Sequence, residues 1–509
     1  MVWLPFIIVG QQRESTGFTD KPLRIEIKAD SDRETYRIIP CDSTGMILFF
    51  KSIELTSDNA TRWYFIYYDQ NLLQVWMKSA PIHSELTFNK VYRTHDTLNF
   101  YFEAKKKAKN REINFQILRV VLRNGSLILN NGKTPGSSSM AFFQVDGDNA
   151  FLGLNSEGAP AQIMIMNLPT GKVKVIPLLE GDQSSLISMT FNSSEKVLSV
   201  LITKRLSKRN SELYLIRMKS DGTRISEIKL SNYSSDRKLT DMKEISVSQT
   251  ETLIAGSYIQ SPKTKKSQKD KRTGIFSTHI GTNLQTPINF YNFLDLKNIR
   301  QLLSERDILS LRKKSMKKKR PDQEYSLDFS LLLHDIIHWE NQYLLVSETY
   351  FPQFHTESFT DYDFYGRPFT NSYSVFDGYR FTGAILTAFD EEGKLLWDNA
   401  MSIRNIITFS MEPKVSVYFF RDEIVLAYLS EGRIASRIIK GPEIMEKTSY
   451  SELELMSPNE KLLGESNSLM VHWYDDFFLC YGYQEIRDIS KGGNDKRLVF
   501  FCNKVRFDR

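Results

Sequence analysis

Two histidines have the only spacing in this chain that suggests a zinc site. The segment HDIIHW places His334 and His338 four residues apart, so on a helix both rings would reach one zinc ion. However, Asp335 stands where a zinc protease has its longer glutamate base, and the segment has the pattern of a β-strand. On a strand, residues four apart are separated by roughly 13 Å. We therefore expect core or channel histidines and no metal site.

Two aspartates form the second candidate for chemistry. The segment DYDFYG, which contains Asp361 and Asp363, resembles the start of a calcium loop but lacks the third ligand and the terminal glutamate. The same carboxylates could act as an acid–base pair, yet nothing in the sequence places them across a substrate. The chain has no glycine-rich phosphate loop, no paired-cysteine zinc site and no nucleophile elbow. We predict no catalytic residue, no metal and no cofactor.

The composition is that of a large protein rich in strand formers. Among 509 residues, 41% are hydrophobic and 12% are aromatic. We expect Cys41, Cys480 and Cys502 to be buried thiols, with one disulfide as the alternative in an oxidising compartment.

No segment has the roughly 18 apolar residues that predict a membrane-spanning helix. The apolar start, MVWLPFIIVGQQ, lacks a basic region, and we expect residues 1–20 to be a residual signal-peptide-like segment and lead-in, with a mature start near Gln11 and a buried strand as the alternative.

A strand–turn–strand pattern repeats along the chain. In AILTAFDEEGKLLWDNAM, alternating apolar residues flank a turn, and Asp390 precedes Trp397 by seven residues; Asp69 and Trp76 repeat that spacing. Weaker copies lack the tryptophan. The turns of all the copies lie near Asn71, Asn124, Thr170, Asp221, Thr282, Glu392 and Glu431. Hairpins that recur every 40 to 60 residues or so predict the blades of a β-propeller.

The predicted fold is all-β: a single β-propeller over residues 21–509, with about eight four-stranded blades and seven as the alternative. Complete blades can be assigned to about 86–131, 141–177, 187–229, 241–291 and 330–399. The last part of the chain is one strand short, and the N-terminal segment PLRIEIK can supply that strand. We expect this strand to close the ring, because closure leaves no free sheet edge.

The Asp-x-x-Gly-x-x-x-Trp hairpin at Asp390–Trp397 resembles the repeat of quinoprotein-type propellers, and Asp69–Trp76 matches it without the glycine. That superfamily includes redox enzymes holding pyrroloquinoline quinone and non-catalytic outer-membrane assembly subunits. The whole chain also resembles uncharacterised envelope propellers of Gram-negative bacteria. The resemblance implies an exported protein, periplasmic or outer-membrane-associated, whose partners are envelope proteins such as an outer-membrane protein complex.

Two insertions interrupt the repeat. The segment NFLDLKNIRQLLSERDILSLRKKSMKKK predicts two short helices within 292–322, between blades five and six, with Asp295 capping the first and Ser304 opening the second. A long loop at 350–379 follows within blade six. It is too aromatic for disorder, so its rings either pack on the helical insertion or form a recognition surface. Its candidate partner-binding residues are Phe354, Phe359, Tyr362, Phe364, Tyr365, Phe369, Tyr373 and Phe376.

Positive charge is concentrated in a few loops. The formal net charge is only +6, yet Lys263–Arg272 and Arg312–Arg320 together hold thirteen basic residues and one acidic residue. In a four-stranded blade, these loops and the long loop at 350–379 fall on one face. We expect this basic rim to contact anionic lipid headgroups or an acidic protein surface, and not nucleic acid, since no aromatic residues interleave the lysines. The candidate contacts are Lys263, Lys265, Lys266, Arg312, Lys313, Lys317, Lys318 and Lys319.

The leading hypothesis is a non-catalytic scaffold subunit of a bacterial cell-envelope complex, which binds protein through the aromatic loop and the basic rim. The alternative is a carbohydrate-binding or carbohydrate-active propeller that uses the central channel. A cofactor-holding oxidoreductase is a third option, suggested only by the hairpin resemblance.

Overall fold

Alternating apolar and polar residues form the strands of this protein, as in ATRWYFIYY, where one side chain after another turns to the core and away from it. The computed structural model describes residues 17–29, 35–55, 59–104, 114–136, 138–156, 158–179, 183–206, 211–230, 237–248, 250–260, 273–281, 286–303, 305, 309, 330–490 and 495–508. Within these ranges the strands form eight antiparallel sheets.

The strands are numbered β1 to β33 in chain order. Strand β1 is Gly17–Lys28, and the first four blades are β2–β5 (Arg37–Pro40, Met46–Leu55, Ala60–Tyr68, Gln74–His83), β6–β9 (Leu86–Thr94, Thr97–Ala104, Phe115–Val121, Leu127–Gly132), β10–β13 (Ser139–Asp146, Asn149–Asn155, Gln162–Asn167, Val173–Pro177) and β14–β17 (Ser184–Asn192, Val197–Arg205, Ser211–Lys219, Arg224–Lys229). The last four are β18–β21 (Arg237–Ser246, Thr252–Gln260, Gly274–Ile280, Asn289–Asn292), β22–β26 (Ser330–Leu333, Ile337–Trp339, Gln342–Tyr362, Pro368–Phe389, Leu395–Thr408), β27–β30 (Ser416–Phe420, Glu423–Ser430, Arg433–Lys440, Glu443–Glu452) and β31–β33 (Glu460–Tyr474, Phe477–Asp488, Lys496–Asp508) with β1.

The eight sheets are the blades of a β-propeller. The first strands of neighbouring blades contact one another, as β6 contacts β10 and β14 contacts β18, so these strands surround the central axis. Buried side chains fill the space between adjacent sheets in a series of hydrophobic clusters. The prediction of eight blades is confirmed, and the seven-bladed alternative is excluded.

The N-terminal strand closes the ring, as predicted. Strand β1 pairs antiparallel with β33, and Leu23 lies opposite Lys504. The buried guanidinium of Arg24 donates to Asn503 Oδ1 and Gln484 Oε1, both at 2.8 Å, which fixes the strand against the last blade. The eighth sheet therefore joins both ends of the described chain. Residues 1–16, which include most of the expected export signal, lie outside the described residues.

The two tryptophan hairpins connect neighbouring blades. In the first, Asp69 Oδ1 accepts hydrogen bonds from the backbone N–H groups of Asn71 and Leu73 and so fixes the turn. Trp76 then donates from Nε1 to the carbonyl of Leu122 in the next blade at 3.0 Å. Because its ring also lies against the turn glycine of that blade, Gly125, the tryptophan acts as a contact between blades.

One predicted turn has a different role from the others. The turn at Glu431 joins the second and third strands of blade seven, whereas its counterparts join third and fourth strands. The equivalent outer turn lies ten residues later at Gly441, which has a φ of +57° and faces the ring of Trp397 in blade six. The two turns of blade seven are short and alike, so the sequence pattern alone does not separate them.

The first predicted helix of the insertion is wrong. Residues 293–303 form two 3-10 turns, Phe293–Asp295 and Ile299–Leu302, and Asn292 caps the first of them in place of Asp295. The reason is Asp398 of β26, whose carboxylate accepts hydrogen bonds from the N–H groups of Lys297 and Asn298 and so interrupts the helical ladder. Apart from residues 305 and 309, the second predicted helix, from 304 to 322, lies outside the described residues.

Candidate functional site

A two-stranded ribbon projects from blade six. Strands β24 and β25 pair continuously from Tyr343 and Phe389 to Tyr362 and Pro368, far beyond the length of the other blades. The predicted long loop at 350–379 is therefore a β-hairpin. Its threonines, tyrosines and phenylalanines favour strands, and pairing across the hairpin gives its backbone groups hydrogen-bond partners.

The ribbon ends in a tight turn. Asp363 Oδ1 accepts hydrogen bonds from the backbone N–H groups of Tyr365 and Arg367, at 2.9 and 2.8 Å, and Gly366 takes the positive φ of +72° that the turn needs. The DYDFYG segment thus uses its second aspartate as a turn residue. Neither of its aspartates forms part of a metal-binding cluster, because no three His, Cys, Asp or Glu side chains of the described residues are grouped to hold a metal ion.

The two faces of the ribbon differ in chemistry. Residues that lie directly opposite each other in an antiparallel pair share a face. One face has three consecutive hydroxyl pairs: Thr356–Ser374, Ser358–Ser372 and Thr360–Thr370. The other face has aromatic and ionisable pairs: His355–Val375, Glu357–Tyr373, Phe359–Asn371 and Asp361–Phe369.

The candidate aromatic residues of the ribbon face solvent. At the tip, 97% of Phe364 and 80% of Tyr365 are exposed. Phe354, Phe359, Tyr362, Phe369 and Tyr373 are also exposed, and only Phe376, at the base, is partly covered. Seven of the eight rings are exposed, which favours the alternative of a recognition surface over packing on the helical insertion. Exposed aromatic side chains are enriched at protein recognition surfaces.

An ionisable network lies on the mixed face of the ribbon. His355 bonds through Nδ1 to the carboxylate of Asp377 and through Nε2 to Glu357 Oε1 at 3.2 Å, and the Tyr373 hydroxyl donates to the same glutamate. The bond to Asp377 raises the pKa of His355, and the bond from Tyr373 lowers the pKa of Glu357. From 350 to 379 the sequence has four carboxylates and one arginine, so the ribbon is acidic.

The base of the ribbon meets the mouth of the central channel. Phe376 contacts Phe409, which follows β26 and lines a cavity of about 680 Å³. This mouth cavity is bounded by the beginnings of β2 and β6 and by residues 409–414, all on the face where blades are joined. Aromatic rings of Tyr36, Phe88 and Tyr481 form much of its wall.

Charged groups in the mouth cavity come from blades one and two and from the connector between blades six and seven. Arg37 pairs with Glu412 at 3.2 Å and lies over the ring of Phe88. Lys414 is buried, and burial lowers the pKa of its ammonium group. The Lys414 ammonium donates to Ser410 Oγ at 3.3 Å. The cavity thus combines apolar walls with a few polar groups, which is typical of binding sites.

The two histidines singled out from the sequence have structural roles. His334 lies between β22 and β23, and its Nε2 is 2.8 Å from Oε1 of Glu348, a fully buried residue of β24. Glu348 also accepts from the backbone N–H groups of Lys414 and Val415, so it ties the strand that enters the ribbon to the connector. His338 stacks on Tyr343 at 4.9 Å. His334 fits the expectation of a core or channel histidine, whereas His338 is exposed and does not.

The candidate basic residues lie outside the described part of the chain. They are Lys263, Lys265, Lys266, Arg312, Lys313, Lys317, Lys318 and Lys319.

The three cysteines are described, and all are buried free thiols, as expected. No helix in the described ranges is both long and apolar enough to cross a bilayer.

The residues that join the ribbon to the channel cannot be identified from the sequence. Phe409 and Glu348 lie in separate segments and gain their roles only when the blades close around the axis. No local motif marks either of them.

The geometry of the blades defines a β-propeller, and the comparisons with known proteins add only weak likenesses. No protein-family model matches the chain, and no curated protein does either. Among solved structures, the polysaccharide lyase Uly1 is similar with a TM-score of 0.40 and 11% identity, over 82% of this chain and 89% of that one. The tricorn protease gives 0.40 and 12%, over 86% and 36%. The β-propeller domain of the Trilobed protease from Pyrococcus furiosus gives 0.33 and 10%, over 81% and 97%.

Proposed function

We propose that this protein is a non-catalytic scaffold subunit of a bacterial cell-envelope complex, and that the ribbon and the mouth cavity bind a protein partner. The observation that carries the proposal is the ribbon: a paired hairpin that holds seven candidate aromatic residues in solvent. Tyrosine and phenylalanine on a preformed surface give large contact area at low entropic cost.

The adjoining cavity supports the same proposal. Phe409 is 70% exposed and lies between the ribbon base and the mouth cavity, so a partner on the ribbon would also reach the channel. Because the ribbon is acidic, we expect the partner to present a basic surface to it. The basic rim, including Lys263 and Lys317, would contact a separate anionic surface such as lipid headgroups. The envelope location is supported by the apolar N-terminal run and by the hairpin resemblance.

Co-purification from native cells tests the proposal. The tagged full chain should recover envelope proteins in stoichiometric amounts, and a variant lacking Phe354–Phe376 should lose them while remaining folded. The double variant Phe364→Ser with Tyr365→Ser should weaken capture, because both rings lie at the exposed tip. Ile225→Ser is the matched control: it also removes an exposed apolar side chain, on the outer strand of blade four. Undiminished capture by both ribbon variants would refute the proposal.

The location has its own test. N-terminal sequencing of native protein should find a start near Gln11, and fractionation should place the protein in the envelope. A retained Met1 together with recovery from the cytosolic fraction would contradict the envelope assignment.

A further inference from the structure

A second cavity, of about 410 Å³, occupies the other end of the central channel. It is lined by later residues of β10, β14 and β18, such as Asn192 and Ser246 at the ends of their strands, whereas the mouth cavity is lined by strand beginnings. Lys90, midway along β6, lines both cavities. The volume falls within the range of roughly 300–1,000 Å³ common to small-molecule sites.

Three buried acceptor oxygens in the wall of this cavity have no hydrogen-bond donor within the described part of the chain. They are both carboxyl oxygens of Glu244, a residue only 8% exposed, and Oε1 of Gln144. The hydroxyl side chains of Ser188 and Thr190 line the cavity beside Glu244 without making hydrogen bonds of good geometry to it. Buried acceptors in native proteins nearly always have a donor, so this group requires an explanation.

The nearest cation does not satisfy Glu244. Arg217 interacts with Glu244 through its charge, but its N–H groups donate to the carbonyl of Thr250 and to Thr252 Oγ1, both at 2.7 Å. Arg217 therefore donates no hydrogen bond to either carboxyl oxygen of Glu244.

The other groups of the cavity favour a neutral ligand over a cation. Lys90 and Lys243 both line it, and the Lys243 ammonium donates to Asp335 Oδ1 at 2.6 Å across blades five and six. Two lysines and two carboxylates, Glu244 and Asp335, line the cavity, so its formal charges balance and do not favour a charged ligand. Neutral hydroxyl groups can donate to Glu244 and Gln144 and accept from the ammonium groups. The ring of Phe142 adds an apolar wall against which C–H groups can pack.

We propose that this end of the channel binds a small neutral polyol of monosaccharide size, which donates hydroxyl protons to Glu244 and Gln144 and packs on Phe142. The site is independent of the ribbon, since it lies at the opposite end of the channel. It is a binding site without any covalent step.

Isothermal titration calorimetry on the full chain tests this site, with glucose, galactose, N-acetylglucosamine and myo-inositol as probes. We expect saturable binding of at least one probe with a stoichiometry of one. Gln144→Met and Glu244→Gln should each weaken that binding about tenfold, as expected for the loss of a ligand hydrogen bond. Glu227→Gln, an exposed residue of β17, and Glu412→Gln, in the mouth cavity, should leave it unchanged.

Several outcomes would overturn the proposal. They are the absence of saturable binding for all four polyols, tighter binding of methylguanidine than of any polyol, and loss of binding in Glu412→Gln but not in Glu244→Gln. Circular dichroism checks that each variant folds. If Glu244→Gln does not fold, Gln144→Met decides, because it keeps the approximate shape of the side chain and removes the amide acceptor.

Discussion

The ring of Phe376, in the ribbon, packs edge-on against the ring of Phe409, in the connector after blade six, with 5.8 Å between their centroids. Phe376 also contacts Tyr379 at 5.1 Å, so the ribbon base is an aromatic cluster. Because Phe409 lines the mouth cavity, the ribbon and the channel entrance form one continuous surface.

We predict that Phe409→Ala loosens the ribbon base and leaves the blades intact. An edge-to-face pair contributes about 0.5–1.5 kcal/mol, so hydrogen exchange at residues 371–378 should accelerate roughly two- to tenfold. Hydrogen-exchange mass spectrometry measures this directly. Leu73→Ala, which truncates an exposed apolar side chain in blade one, should have no effect on the ribbon. Unchanged ribbon exchange in Phe409→Ala would show that the contact does not hold the base.

The blades can be predicted from sequence because each is encoded locally. A hairpin is specified by neighbouring residues, as Asp69 specifies its turn, and it recurs at a regular period. Blade four, for example, is predicted at about 187–229 and observed at 184–229. Ring closure is predictable for the same reason, since a missing strand and a spare strand are both visible in the sequence.

The ribbon and the channel are not predictable to the same degree. The ribbon buries neither of its faces: the neighbours Ser358 and Phe359 of β24 point to opposite faces, and both are exposed. The core-facing alternation that identifies a strand is therefore lost. The break between the two 3-10 turns depends on Asp398, about 100 residues away. Glu244 and Lys90 meet only because blades two and five close around one axis. Contacts between residues so far apart in sequence cannot be predicted from a local sequence pattern.

We predict that Glu348→Ala is much more damaging than Glu348→Gln. The buried carboxylate accepts from two backbone N–H groups of the connector and contacts His334, so alanine leaves these groups unpaired and should cost about 3–5 kcal/mol. Glutamine keeps one acceptor oxygen in place and should cost about 1–2 kcal/mol. Urea unfolding of both variants measures the difference. Equal losses would mean that the carboxylate is not the tie between β24 and the connector.

Gly45 and Gly171 both have a positive φ, but only at Gly45 would an added Cβ atom collide with its surroundings. Gly45 has a φ of +146°, and a Cβ there would collide with the carbonyl oxygen of Tyr68. Its own carbonyl accepts from Trp473 Nε1 at 2.8 Å, across the junction of blades eight and one. Gly171 has a φ of +68° with open space around it.

We therefore expect Gly45→Ala to lower the free energy of unfolding by about 3 kcal/mol or more, since a backbone oxygen cannot move aside cheaply. Gly171→Ala should cost only about 1–2 kcal/mol, the usual penalty of the left-handed region. Urea titrations monitored by tryptophan fluorescence distinguish these values. Similar losses in the two variants would show that the junction at Gly45 can adjust.

Glu244 should make stability depend on pH with a definite sign. Burial raises its pKa from 4.5 to about 7, so between these values the folded protein keeps a proton that the unfolded chain releases. Stability from this residue is therefore fully present below about pH 4.5, falls as pH rises to about 7, and then stays constant. The shift corresponds to about 3 kcal/mol.

Glu244→Gln has no proton to lose at this position, so relative to the original protein it should gain about 3 kcal/mol between about pH 4 and pH 8. Urea unfolding of both proteins across this range gives the difference, in which the titrations of all other groups cancel. Glu227→Gln, an exposed residue of β17, should show no such gain. A difference that does not change with pH would mean that Glu244 ionises normally in the folded protein and that the cavity wall already supplies it with donors.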